Sequence, residues 1–177
     1  MQVEELQLPG VKRIQTKIYK DERGFFRELF QKTLYTVHGI DTEFVQDNFS
    51  LSHQGTIRGM HFQRTPGQAK LVVVLEGSIF DVVVDIRKDS PTYRQWLGVH
   101  LDAEKGEQLF VPVGYAHGFC ALSPRVHLCY KVSTPYDPAQ EKSFRYDDPT
   151  IGIEWPKITP ILSIRDKTSP LFDEVVL

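Results

Sequence analysis

His61, Lys70 and Tyr130, with Arg58 close to the first in sequence, are the side chains of this 177-residue chain best suited to moving a proton near neutral pH. Removing a proton from a carbon beside a carbonyl needs a base tuned near neutrality. It also needs a positive or hydrogen-bonding group where the enolate oxygen develops its charge. His61 has the right ordinary pKa, about 6.5, to be that base. Lys70 and Arg58 can supply the positive charge. Tyr130 alternates with Val126, Leu128 and Val132, and a buried phenol there can return a proton from the opposite side of a ring. From its spacing alone Tyr130 reads rather as an ordinary core tyrosine.

Three local patterns hold these residues. The first runs from Asp21 to Glu28 (Asp-Glu-Arg-Gly-Phe-Phe-Arg-Glu) and, taken alone, is a polar turn feeding a strand. The second is Val45-Gln-Asp-Asn48 followed by Thr56-Ile-Arg-Gly-Met-His-Phe-Gln63. The third, Phe110 to Phe119, carries Pro112, Gly114 and His117 as a Pro-x-Gly-x-x-His turn, and it resembles the second motif of the cupin superfamily. That resemblance implies a small β-barrel whose histidines usually hold a metal. A metal cupin would show His-x-His in the earlier motif, but here Gln63 stands where the second imidazole belongs, and Lys70 follows it. An ammonium repels a divalent cation, and His61, Gln63 and His117 make a poor ligand set. The expected metal set is therefore none.

The elements that must position these groups read as short strands divided by turn residues. Lys70 to Leu75, then Glu76-Gly77, then Ser78 to Ile86 predicts a hairpin turning at the glycine. In its second arm Phe80, Val82, Val84 and Ile86 share one face and Asp81 and Asp85 the other, the period-two pattern of a half-buried strand. Val126 to Val132 alternates likewise, and Leu109 to Val111 is a further strand ending at Pro112. Helical periodicity appears over Arg27 to Val37, with a short second stretch near the C-terminus. Alternation puts Arg58 and His61 on opposite strand faces unless Gly59 marks a bulge. The expected fold class is all-β, a cupin-type jelly-roll barrel with a few short peripheral helices.

Taken together, the ordered matches extend the resemblance over most of the chain. Besides the three patterns they include Lys70-Leu-Val, Phe80 to Arg87, Ser90-Pro-Thr, Tyr130-Lys, Tyr146-Asp-Asp-Pro, Ile153-Glu-Trp-Pro and Leu162 to Asp166. The chain resembles the dTDP-4-dehydrorhamnose 3,5-epimerase family of deoxysugar biosynthesis. The resemblance implies His61 as proton acceptor with Asp166 behind it, Tyr130 as proton donor and Lys70 as enolate stabiliser. It implies Arg58 and His117 as binding residues around sugar and diphosphate. Arg23, Glu28, Gln46, Asp47 and Asn48 become substrate contacts, Tyr136 the ring stacked on the nucleobase, and Glu141 a further binding position. Arg165 stands where the family usually has lysine, which keeps charge but not geometry. The implied reaction is epimerisation at C-3 and C-5 of a dTDP-linked 4-keto-6-deoxyhexose, without cofactor, by a homodimer that shares active-site residues across its interface.

Bulk properties fit one catalytic domain over residues 1–177. A net charge of -2 with scattered basic residues argues against nucleic acid or an acidic membrane as partner. The longest apolar run, Leu71 to Leu75, is far short of a membrane span, and Met1 to Lys20 lacks a signal pattern. Cys120 and Cys129, the only cysteines, read as buried thiols of a cytoplasmic protein. The rival readings are an enzyme epimerising one carbon only, a metal-dependent cupin, and a non-catalytic sugar-nucleotide binder.

Overall fold

The computed structural model describes residues 1–175. In chain order the strands are β1 (Gln2–Glu5), β2 (Lys12–Gln15), β3 (Tyr19–Asp21), β4 (Gly24–Phe26), β5 (Gln46–His53), β6 (Ile57–Gln63) and β7 (Lys70–Glu76). They continue as β8 (Ser78–Asp85), β9 (Trp96–Asp102), β10 (Glu107–Val111), β11 (Tyr115–Ala121), β12 (Arg125–Val132) and β13 (Glu141–Ser143). Three short helices, α1 (Lys32–Val37), α2 (Ile164–Thr168) and α3 (Phe172–Val175), lie between and after them. One sheet has the order β1-β2-β10-β7-β12-β5, the second β13-β6-β11-β8-β9, and β3 and β4 form a separate hairpin. The architecture is all-β, as expected, with the two main sheets hydrogen-bonded separately rather than joined into one continuous barrel.

The core between the sheets takes Val72, Val74, Leu109 and Leu128 from the six-stranded sheet and Ile79, Val83, Leu101 and Phe119 from the five-stranded one. Each sheet is also covered on its outer face. Segment 29–44, with Tyr35 and Ile40, packs on Leu71, Val73 and Phe110. The C-terminal segment, with Phe144, Ile151 and Phe172, packs on Met60, Val82 and Val84. The unbroken apolar run of β7 follows from this: alternate residues serve two different cores, and each full burial of such a side chain is worth about 1.5–3 kcal/mol.

Four expectations change here. β7 and β8 do not pair with each other; they lie in different sheets. Gly77 is the corner between them, at φ +79°, where a Cβ would sit 2.4 Å from the Arg125 carbonyl oxygen. The two faces of β8 are divided as the alternation predicts, but Asp81 and Asp85 are fully buried rather than solvated. Helix α1 is shorter than Arg27 to Val37 because the first residues are pinned by side chains. The Arg27 guanidinium donates to the carbonyls of Val74 (2.6 Å) and Ala103 (3.1 Å), and the Leu29 carbonyl accepts from Tyr35 and Gln108. Cys120 is buried, whereas Cys129 is only half-buried; both are free thiols.

Candidate active site

A cavity of about 460 Å³ opens between the sheets, lined by His61, Lys70, His117, Tyr130, Arg58 and Asp166 among others. β6 supplies Arg58 and His61 together, and a bulge makes this possible. His61 pairs with His117 on β11 and Arg58 with Phe119, so three steps on β6 match two on β11. Gly59 carries the irregularity at φ +141°, where a Cβ would lie 2.6 Å from Gly118 Cα. Glycine alone fits that approach.

His61 Nε2 lies 2.6 Å from Asp166 Oδ1. Asp166 is held in place by α2, whose N-cap Ser163 accepts from the Asp166 backbone N–H at 3.0 Å. Burial pushes the Asp166 carboxyl up, but the hydrogen bond and charge of His61, with Ser163 and Arg165, carry it below the usual carboxylate range. An ionised carboxylate on Nε2 fixes the proton there and leaves the Nδ1 lone pair as the basic site. Nδ1 has no hydrogen-bond partner among the described residues. A second such pair lies beside it: His117 Nε2 is 2.8 and 3.0 Å from the two oxygens of Asp81.

The opposite wall is the six-stranded sheet, which carries Lys70 on β7 and Tyr130 on β12. Lys70 is 7 % exposed and burial lowers its pKa to about 8, with Glu141 opposing. Its Nζ donates to Gln68 Oε1 at 2.6 Å. Burial, then Glu141, raises the Tyr130 phenol above its ordinary value despite Arg58, so it stays protonated and able to donate. Arg58 is tied back to β5 through Ser52 Oγ (3.1 Å) and the Leu51 carbonyl (3.2 Å) and has no carboxylate partner among the described residues. Gln63 turns its amide to Thr134 Oγ1 (3.1 Å) and does not line the cavity. Two imidazoles with an ammonium beside them do not fit a divalent cation, and no cluster of three or more His, Cys, Asp or Glu suited to a metal occurs among the described residues.

The family model described as dTDP-4-dehydrorhamnose 3,5-epimerase matches residues 5–174. The chain belongs to this family. It is 46% identical over 168 residues to the dTDP-4-dehydrorhamnose 3,5-epimerase of Shigella flexneri, covering 94% of this chain and 93% of that one. It is 45% identical to the crystal structure of dTDP-6-deoxy-D-glucose-3,5-epimerase from Legionella pneumophila in complex with dTDP-4-keto-L-rhamnose. That match has a TM-score of 0.93 over 97% of this chain and 93% of that one. A 3'-monoepimerase from Streptomyces bikiniensis, in complex with dTDP-quinovose, is 37% identical with a TM-score of 0.88, covering 94% and 85%. The chain is thus an isomerase of the dTDP-4-dehydrorhamnose 3,5-epimerase type, with a cupin-like fold.

Around the epimerase-type centre the cavity gathers further expected residues. Gln46 and Asn48 line it from the inner face of β5, bonded to each other at 2.8 Å, and Gln46 Oε1 accepts from the Tyr136 backbone N–H at 3.1 Å. Glu141 and Arg165 form a 2.7 Å ion pair at the same end. Three expected contacts lie elsewhere in the chain. Asp47 points to the outer face of β5, paired with Lys131 at 2.8 Å. Arg23 is on the exposed β3–β4 hairpin, bonded to Asp21. Glu28 borders a small separate cavity with Thr16, Tyr19 and Tyr35. The sequence reading did not single out Asp81, Ser163 or Gln68. Ser163 was legible as a helix cap three residues before Asp166; Asp81 was placed on a face whose burial alternation does not reveal.

Proposed function

We propose that this chain epimerises C-3 and C-5 of dTDP-4-dehydro-6-deoxy-D-glucose to give dTDP-4-dehydro-L-rhamnose, by proton transfer at the carbons flanking the 4-keto group. The observation that carries this reading is the division of labour between the walls: His61 on one sheet, backed by Asp166 from α2, and Tyr130 and Lys70 on the other sheet. The ketone acidifies both neighbouring C–H bonds. His61 Nδ1 takes the proton and Asp166 stabilises the imidazolium that forms. Lys70, protonated below pH about 8, holds the enolate oxygen. Tyr130 returns a proton from the opposite face, which inverts the carbon. One base, one oxyanion site and one donor serve both carbons in turn.

Gln46, Asn48, Arg58, His117, Tyr136, Glu141 and Arg165 bind the nucleotide-sugar in this reading, and no metal or cofactor takes part. The chain acts as a single-domain cytoplasmic enzyme and as a homodimer. β5 is an edge strand whose Phe49 and Leu51 are exposed. A second subunit is the source of the Arg23 and Glu28 contacts. Incubating the protein with the 4-keto substrate in heavy water tests the activity: NMR should show deuterium at C-3 and C-5 and a dTDP-4-dehydro-L-rhamnose product. Protons unexchanged at both carbons would remove the reading.

A further inference from the structure

Gln68 stands at a junction where the chemistry of its two neighbours leaves little choice of side chain. On one side Lys70 Nζ donates to Gln68 Oε1 at 2.6 Å; on the other, Gln68 Nε2 donates to the Thr134 carbonyl at 2.9 Å. An amide accepts from an ammonium with one atom and donates to a carbonyl with the other, and does so without a charge of its own. A carboxylate would face the Thr134 carbonyl without a proton to give, and a cation would face the ammonium without a lone pair. Thr134 is itself fixed, its Oγ1 donating to the Gly67 carbonyl at 2.9 Å and accepting from Gln63 Nε2. Gln63, the residue in place of a second imidazole, therefore helps anchor this junction.

Lys70 has no carboxylate within ion-pairing distance among the described residues. The charged or titratable groups lining the same cavity are Arg58 and His61 on β6, His117 on β11, Tyr130 on β12, Tyr136 in the loop after β12, Glu141 on β13, and Arg165 with Asp166 on α2. Of these, Glu141 favours the Lys70 ammonium from a distance, against burial. A neutral amide can thus fix the ammonium's direction without cancelling its charge, which leaves two N–H donors for an oxyanion.

We propose that Gln68 is a positioning residue for Lys70, holding its ammonium toward the cavity as an orienting acceptor that leaves the positive charge unneutralised. This rests on the reading of Lys70 as the enolate-stabilising group. The test labels lysine with carbon-13 at Cε and follows the Lys70 signal by NMR over pH in the full-length protein, with Lys70→Met identifying the peak. Gln68→Glu places an anion beside the ammonium and should move the Lys70 titration up by about one pH unit; Gln68→Met removes the acceptor and should move it down. In heavy water both variants should exchange deuterium into the 4-keto substrate roughly ten times more slowly than wild type at pH 7 with KM little changed, Gln68→Glu by quenching charge and Gln68→Met by loss of direction. Lys70 titrating as in wild type in Gln68→Glu would overturn the inference, and Gln68→Glu alone decides it if Gln68→Met does not fold. If Lys70→Met itself exchanges at the wild-type rate, the failure belongs to the reading of Lys70 and not to Gln68.

Discussion

His61 and His117 sit directly across from each other on β6 and β11, and each carries a carboxylate on Nε2. The two pairs differ in their surroundings. The His61 side chain is 27 % exposed and its Asp166 comes from a short helix at the cavity rim. The His117 side chain is 9 % exposed and its Asp81 is sealed inside β8, where burial pushes the carboxyl upward against the pull of His117. The same residue pair is thus partly open to the cavity in one place and nearly enclosed in the other, where His117 still contributes to the cavity wall. In the proposed mechanism the exposure of the ring and the support of its carboxylate's charge, not the pairing itself, decide which histidine serves as base.

The comparison breaks most readily at His61. His61→Ala should lower deuterium exchange at both carbons by roughly 10²–10⁴-fold, the worth of a general base, with the melting temperature retained; turnover within threefold of wild type would reverse the assignment. Tyr130→Phe should suppress net inversion while letting exchange with retained configuration continue, measured by NMR of the recovered sugar. Equal loss of exchange and inversion would move the phenol's role to enolate stabilisation.

A third test uses pH. Burial depresses Lys70, so its charged form is present below about 8 and lost above it. Turnover should therefore fall on the alkaline side, by about tenfold per pH unit beyond that point. A flat profile to pH 10 would show that the ammonium is not required. Asp166→Asn should keep substrate binding, measured by calorimetry, and lower turnover, because an amide cannot stabilise the imidazolium. Asp81→Ala should act mainly on stability, by about 1–3 kcal/mol in a thermal melt, since it strands a buried imidazole N–H.

The two walls were unequally legible in sequence. Val126 to Val132 shows its inward face by simple alternation, and Tyr130 follows from it. β8 shows the same alternation, yet period two divides faces without saying which meets water, so Asp81 could not be recognised as buried. Gly77 marks a reversal, but a glycine at φ +79° serves a hairpin and an inter-sheet corner equally. The position of Asp166 beside His61, 105 residues away, came only through family resemblance, because no local pattern encodes a contact that distant. Arg23, Glu28 and Asp47 came the same way, and a single chain leaves them outside the cavity.

The central claim is that His61, and not the neighbouring His117, removes the protons. Deuterium exchange into dTDP-4-dehydro-6-deoxy-D-glucose at saturating substrate, followed by NMR in His61→Ala and His117→Ala side by side, tests it most directly. Exchange at C-3 and C-5 should vanish in the first and persist in the second, with a raised KM. Exchange that survives in His61→Ala and vanishes in His117→Ala would contradict it.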